Sequence, residues 1–210
     1  MAPDRTEAGV GTRPEAALDE LLGRHREPQR QYHSVKHVEL VVRDVALLLR
    51  EVEVPAGAPA PDECAVVLAA FFHDAVYDPR ASDNEAQSAA LAGRVLSELA
   101  VDPERIAEVE RLVLATAHLA GPPPVAPDVA ARILLDADLA ILGAEPSAYD
   151  AYVNGVRYEY AHLDDEEWAA GRRAVLRSFL EREAIYLTTP MGEREARARA
   201  NLTAELATLG

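Results

Sequence analysis

The chain has 210 residues and a mass of 22.7 kDa, the size of one large domain or two small ones, and its 49% hydrophobic content supplies a real core and excludes wholesale disorder. With 21 Lys and Arg against 36 Asp and Glu, the formal charge of −15 repels phosphate backbones and anionic membrane surfaces, which excludes nucleic acid as the main partner. The single cysteine, Cys64, cannot form an internal disulfide; beside Ala65, Val66 and Val67 it reads as a helix interior in a protein of the reducing cytoplasm.

The N-terminal stretch MAPDRTEAGVGTRPEA lacks the apolar run of a secretion signal, and no segment approaches the ~18–20 apolar residues of a spanning helix, so neither export nor a membrane partner is expected. Residues 1–14 read as a flexible leader and 15–210 as one domain. From there Ala, Leu, Glu and Arg recur at helical spacing to the C-terminus and no strand is indicated. Breaks fall at Glu27-Pro28, Pro55 to Pro61, Asp78 to Ser82, Asp102-Pro103, Gly121 to Pro127, Gly143 to Pro146 and Thr189 to Gly192. The expected fold is therefore an all-α bundle of about eight helices. Asp62, Asp102 (followed by Pro103) and Asp128 are the expected N-caps.

Chemistry concentrates in three segments. In Tyr32-His33-Ser34-Val35-Lys36-His37, two imidazoles four residues apart open a helix with apolar periodicity and are expected to share a face. The segment from Glu63 to Val76 is apolar almost all round until His73-Asp74, and a helix of that kind is buried. A carboxylate and an imidazole at its end need a partner, and a cation is the natural one. The run from Ile133 to Leu142 would be pure core but for Asp136 and Asp138. Residues two apart diverge by about 200° on a helix, so both cannot face one ion. Asp138, with Leu134, Ile141 and Leu142 around it, reads as the buried ligand, whereas Asp136 has Arg132 as an expected salt-bridge partner. His37, His73, Asp74 and Asp138 thus make a ligand set for a divalent ion (Mn, Fe, Co, Ni, Zn or Mg) with positions open to water and substrate.

These motifs together resemble the HD superfamily of metal-dependent phosphohydrolases. The ordered set YHSVKHV, FFHDAVYD, DNEAQSA, LATAH, LLDADLAILG and VRYEY, spanning about Tyr32 to Leu206, is similar to an uncharacterised bacterial group of predicted HD phosphohydrolases. The resemblance implies an HD-type bundle, the ligands His37, His73, Asp74 and Asp138, and metal-dependent hydrolysis of a phosphate ester or anhydride in a small molecule such as a nucleotide. In the branch that hydrolyses guanosine tetraphosphate a Glu-Asp pair follows the His-Asp; here the stretch reads Tyr77-Asp78, which weighs against that substrate. Asp74, with Asp78 or Glu85 as general base, is expected to carry catalysis, and Lys36, His118 or Arg157 to hold the substrate's phosphate. His33 is a reserve for the site, His25 and His162 are expected at the surface, and Trp168, Phe179 and Tyr186 in the C-terminal core. A di-iron oxygenase, a non-catalytic metal-binding interaction module and a homo-oligomer remain open alternatives.

Overall fold

The computed structural model describes residues 13–117 and 128–210, and every regular element among them is helical. In chain order these are α1 (Pro14–His25), α2 (Val35–Glu51), α3 (Glu63–Phe72), α4 (Asn84–Glu98), α5 (Pro103–Ala115) and α6 (Val129–Asp138). A 3-10 helix (Leu139–Gly143) follows, then α7 (Pro146–Glu159), α8 (Asp165–Leu180), α9 (Thr189–Gly192) and α10 (Glu195–Thr208).

The caps explain several of these boundaries. Asp62 accepts from the Ala65 amide, Asp102 from those of Glu104 and Arg105 ahead of Pro103, and Asp128 from that of Ala131, each satisfying first-turn donors that have no partner inside the helix. The C-terminal part is divided more finely than its composition suggests. Asp164 and Glu167 form a capping box that starts a new helix after Tyr160, and Thr189 to Gly192, expected as a break, makes one turn of helix. There are thus ten α-helices among the described residues rather than about eight.

The most apolar helix, α3, lies at the centre. It packs on α2, α4, α5 and α6, with Ala65, Val66, Ala69 and Ala70 fully buried, and these small side chains let the neighbours approach its axis closely. One continuous core runs from Ala17 in α1 to Leu202 in α10. Phe179 and Tyr186 belong to it, whereas Trp168 is only partly buried and lies against Tyr160. Cys64 does not lie in a helix interior: as the second residue of α3 it is exposed. Among the described residues no helix is long and apolar enough to cross a membrane.

The segment that leads into α2 is held against α7. Gly155 makes room for it, since a Cβ there would meet Tyr32 Cβ at 3.1 Å. One turn further on, the buried carboxylate of Glu159 accepts the backbone amides of Gln31, Tyr32 and His33 at 2.8, 2.7 and 2.9 Å. That attachment fixes where α2 starts and so where His37, two residues into it, can point.

Candidate metal centre

Three helix ends meet at one place. His37 comes from the first turn of α2, His73 and Asp74 follow α3, and Asp138 is the last residue of α6. His37 Nε2 lies 3.1 Å from His73 Nε2, 3.4 Å from Asp74 Oδ2 and 3.2 Å from Asp138 Oδ1. His73 Nε2 lies 3.1 Å from Asp74 Oδ2 and 3.6 Å from Asp138 Oδ1. The imidazole side chains are 3% and 1% exposed, the carboxylates 19% and 15%, so the cluster is closed on the imidazole side and open on the acid side.

His37, His73 and Asp74 make a group that could hold a divalent ion. Ligand atoms about 2.1 Å from a common ion lie roughly 3.0 Å apart at right angles and roughly 3.4 Å apart in a tetrahedron, and the three separations within that group, 3.1, 3.4 and 3.1 Å, fall around those values, while Asp138 Oδ1 stands beside the two imidazoles. The backbone orients His73 as a ligand. Its Nδ1–H donates to the Ala70 carbonyl at 2.8 Å, which leaves the Nε2 lone pair facing the cluster. Arg30 fixes the backbone behind it. Its buried guanidinium donates to the carbonyls of Asp74 at 2.5 Å and Ala75 at 3.1 Å.

The electrostatics agree. Burial works against a charged His37, yet hydrogen bonds to Asp138 and Asp74 carry its pKa up. Burial likewise opposes charge on His73, and the Asp74 charge with the bonds to both acids lifts its pKa well above the ordinary imidazole value. Asp74, although partly shielded from water, is held well below the usual carboxylate range by His73 and by bonds from both imidazoles. Acceptors gathered this closely draw positive charge, and a proton or a metal ion can supply it.

Asp136 points elsewhere. It is fully buried, and its carboxylate accepts from the Leu187 amide at 2.8 Å, from the Thr188 amide at 2.7 Å and from the Thr188 hydroxyl at 2.6 Å. The two acids of α6 do face different ways, but burial ranks them in the opposite order to the one expected. Asp136 is the more buried, and it anchors the chain ahead of α9 instead of pairing with Arg132.

The other expected site residues are scattered. Asp78 is exposed and belongs to a turn, with its carboxylate accepting from the Arg80 amide and its backbone bonded at both ends to Asn84. Glu85 is half-buried in the first turn of α4, with no bond to the cluster. Arg157 is taken up by the carbonyls of Tyr160 and Leu163, the carboxylate of Asp165 and the face of Trp168, so it closes the loop after α7. Lys36 is exposed at the second position of α2. His118 lies outside the described residues, and α5 ends at Ala115.

His33 and His37 do not share a helix face, since α2 begins at Val35. Their rings nevertheless meet edge to face at 5.8 Å. Glu159, which the sequence presents only as a neighbour of Arg157, is what brings His33 there. Its Oε2 lies 2.6 Å from His33 Nδ1 and accepts from the Tyr77 hydroxyl at 3.0 Å, while Tyr77 stacks on the His33 ring at 4.1 Å. Despite burial, the bond and charge of His33 and the backbone amides hold the Glu159 carboxyl below its usual range. A single acid 126 residues away carries no local signal. His25 and His162 part company: His162 is exposed as expected, whereas His25 is 2% exposed, its Nε2 bonded to the Phe71 carbonyl at 3.2 Å.

No protein-family model matches the chain, and no curated protein or solved structure matches it significantly. The reading of the centre stands on its geometry.

Proposed function

We propose that the chain is a divalent-metal-dependent phosphohydrolase of the HD type, acting on a phosphate ester or anhydride of a small molecule. The observation that carries this reading is the convergence of His37, His73, Asp74 and Asp138 from three separate helix ends, in the order and pairing that the sequence resemblance implies. These four residues would hold the ion. When bound, a divalent ion supplies the positive charge that acidifies a water and polarises a phosphoryl oxygen.

The protein's own contribution is positional. Asp74 gives Oδ2 to the imidazoles and keeps Oδ1 to orient a water on the open side by accepting its hydrogen bond. His33 stands beside the centre with Nδ1–H committed to Glu159, which leaves the Nε2 lone pair to take a proton from the attacking water and return it to the leaving group. Asp78, tied into its turn, gives up the base role expected of it, and Arg157, tied into its loop, gives up the phosphate. A net charge of −15 agrees with a small substrate rather than a polyanion.

The test is a screen of phosphorylated metabolites with Mn²⁺, Co²⁺, Ni²⁺ and Mg²⁺ on the parent chain and on His73→Ala and Asp74→Ala, with metal content measured in parallel. Turnover that needs metal and is lost in both variants supports the reading. Turnover that survives in a variant emptied of metal refutes it.

A further inference from the structure

A second feature lies beside the metal centre, where the end of α1 meets the start of α2. A surface depression of about 320 Å³ is lined there by His25, Arg26, Glu27, Arg30, Ser34 and Lys36 among others. Its charge runs against that of the chain. Arg26 and Lys36 are exposed cations, and the one acid, Glu27, has its carboxylate engaged by Gln29 at 2.9 Å and Arg30 at 3.1 Å.

The start of α2 opens onto this depression uncapped. Ser34 occupies the N-cap position but its hydroxyl makes no cap bond, so the amides of Val35, Lys36 and His37 lack the acceptor such a residue normally provides. The three amides just before them, at Gln31, Tyr32 and His33, are satisfied by an internal carboxylate, that of Glu159. No side chain of the described residues does the same for α2. A 17-residue helix adds the positive end of its dipole at this point.

His25 is the independent observation. It is 2% exposed and lines the depression, and its Nδ1 is buried without a hydrogen-bond partner. A carbonyl can only accept, so Nε2 carries the hydrogen that goes to Phe71, and the leftover Nδ1 carries a lone pair. Burial keeps the ring neutral, with its pKa pushed down to about 4. The pocket therefore offers several donors for an anion and one acceptor that requires a donor. A tetrahedral oxyanion that keeps a proton answers both demands, as inorganic phosphate does at neutral pH and sulfate does not.

We infer that the depression between α1 and α2 is a binding site for inorganic phosphate, held by the amides of Val35, Lys36 and His37, the Ser34 hydroxyl and Lys36, and read by His25 Nδ1 through the P–OH group. The site does not rest on the hydrolase reading. The experiment is a titration of the ¹⁵N-labelled full chain, with divalent metal chelated, at pH 7.5 and constant ionic strength. Inorganic phosphate, sulfate and methyl phosphate are compared, the last testing whether the ligand is free phosphate or an ester dianion. Saturable shifts are expected at the amides of Val35, Lys36 and His37, with phosphate binding about tenfold or more tighter than either other anion, because each leaves a buried acceptor unpaired. Lys36→Glu should weaken phosphate about tenfold, and His25→Phe should bring phosphate and sulfate within about threefold of each other. If that variant does not fold, the phosphate-to-sulfate ratio of the parent chain decides. Absence of saturation, equal binding of phosphate and sulfate, equal or tighter binding of methyl phosphate, or shifts gathered at His73 and Asp74 would each overturn the assignment.

Discussion

Asp136 and Asp138 are two residues apart on one helix and do opposite things. Asp138 presents an oxygen to both imidazoles of the cluster, while Asp136 spends both of its oxygens on the amides and hydroxyl of Leu187 and Thr188. Their amide variants should therefore separate. Asp136→Asn turns an NH₂ group towards existing donors, and leaving buried donors unmatched costs about 1–3 kcal/mol, so it should lower the melting temperature while leaving metal content unchanged. Asp138→Asn removes a charged partner of both imidazoles and should lose metal, so metal content rather than stability is the reading that separates it from Asp136→Asn. Thermal denaturation and elemental analysis of the two proteins read both effects, and the reverse pattern would exchange their roles. Glu159 makes a different residue-scale case, because it touches no ligand. Its change to Gln keeps size but removes the negative charge that orients His33, and partners of this kind are typically worth about 10–100-fold in activity or metal affinity. For Glu159→Gln we expect kcat to fall by that order with metal content retained, and Glu159→Asp to recover part of it; equal kcat in parent and Gln variant would reduce Glu159 to a loop anchor.

At the scale of elements, the candidate centre depends on helix ends, and the rest of the fold serves to hold those ends still. The C-terminal half does this through one buried network. The Arg172 guanidinium of α8 grips Glu205 of α10 with two bonds of 2.7 and 2.9 Å, and Tyr149 of α7 donates to the same carboxylate at 2.5 Å. Removing one partner strands a buried charge, so Glu205→Ala should cost about 3–5 kcal/mol in urea denaturation, while Arg94→Ala, which breaks only exposed pairs with Glu20 and Glu98, should cost less than about 1 kcal/mol. The difference between these pairs also marks what sequence alone can reach. The apolar run before His73-Asp74, the Asp caps and the divergence of two acids on α6 are local patterns, and each is legible because its cause lies within one or two turns. Asp164 and Glu167 carry an equally local capping-box signal for the start of α8, which the helix count of about eight overlooks. Glu159 with His33, Arg172 with Glu205 and Asp136 with Thr188 join residues 126, 33 and 52 positions apart. Only the packed helices bring them together, and a burial argument made from immediate neighbours accordingly picks the wrong acid as the buried one.

For the whole molecule the informative variable is pH, and His25 is the group that makes it so. With Arg24 and Arg26 on either side it has the sequence of a surface histidine, yet α1 turns it under α3 onto the Phe71 carbonyl, where burial lowers its pKa from 6.5 to about 4. The unfolded chain takes up a proton below 6.5 that the folded chain refuses until about 4, so this contribution to stability is complete above pH 6.5 and declines as pH falls towards 4. The metal cluster behaves differently. In the metal-free chain the raised pKa values of His37 and His73 contribute stability that is already complete below pH 6.5 and is lost only as pH rises through their folded values. The depressed pKa of Asp74 contributes stability that is present above its unfolded value of 3.8 and is lost only as pH falls towards its folded value. Between pH 5 and 7 the loss on acidification therefore belongs to His25. From 6.5 and about 4, the linkage relation gives about 2 kcal/mol lost between pH 7 and pH 5. Urea denaturation at the two pH values, with chelator and without phosphate, should show that loss in the parent chain and little of it in His25→Gln. An equal loss in both proteins would mean that His25 titrates as an exposed histidine does, and that its burial against Phe71 does not persist in solution.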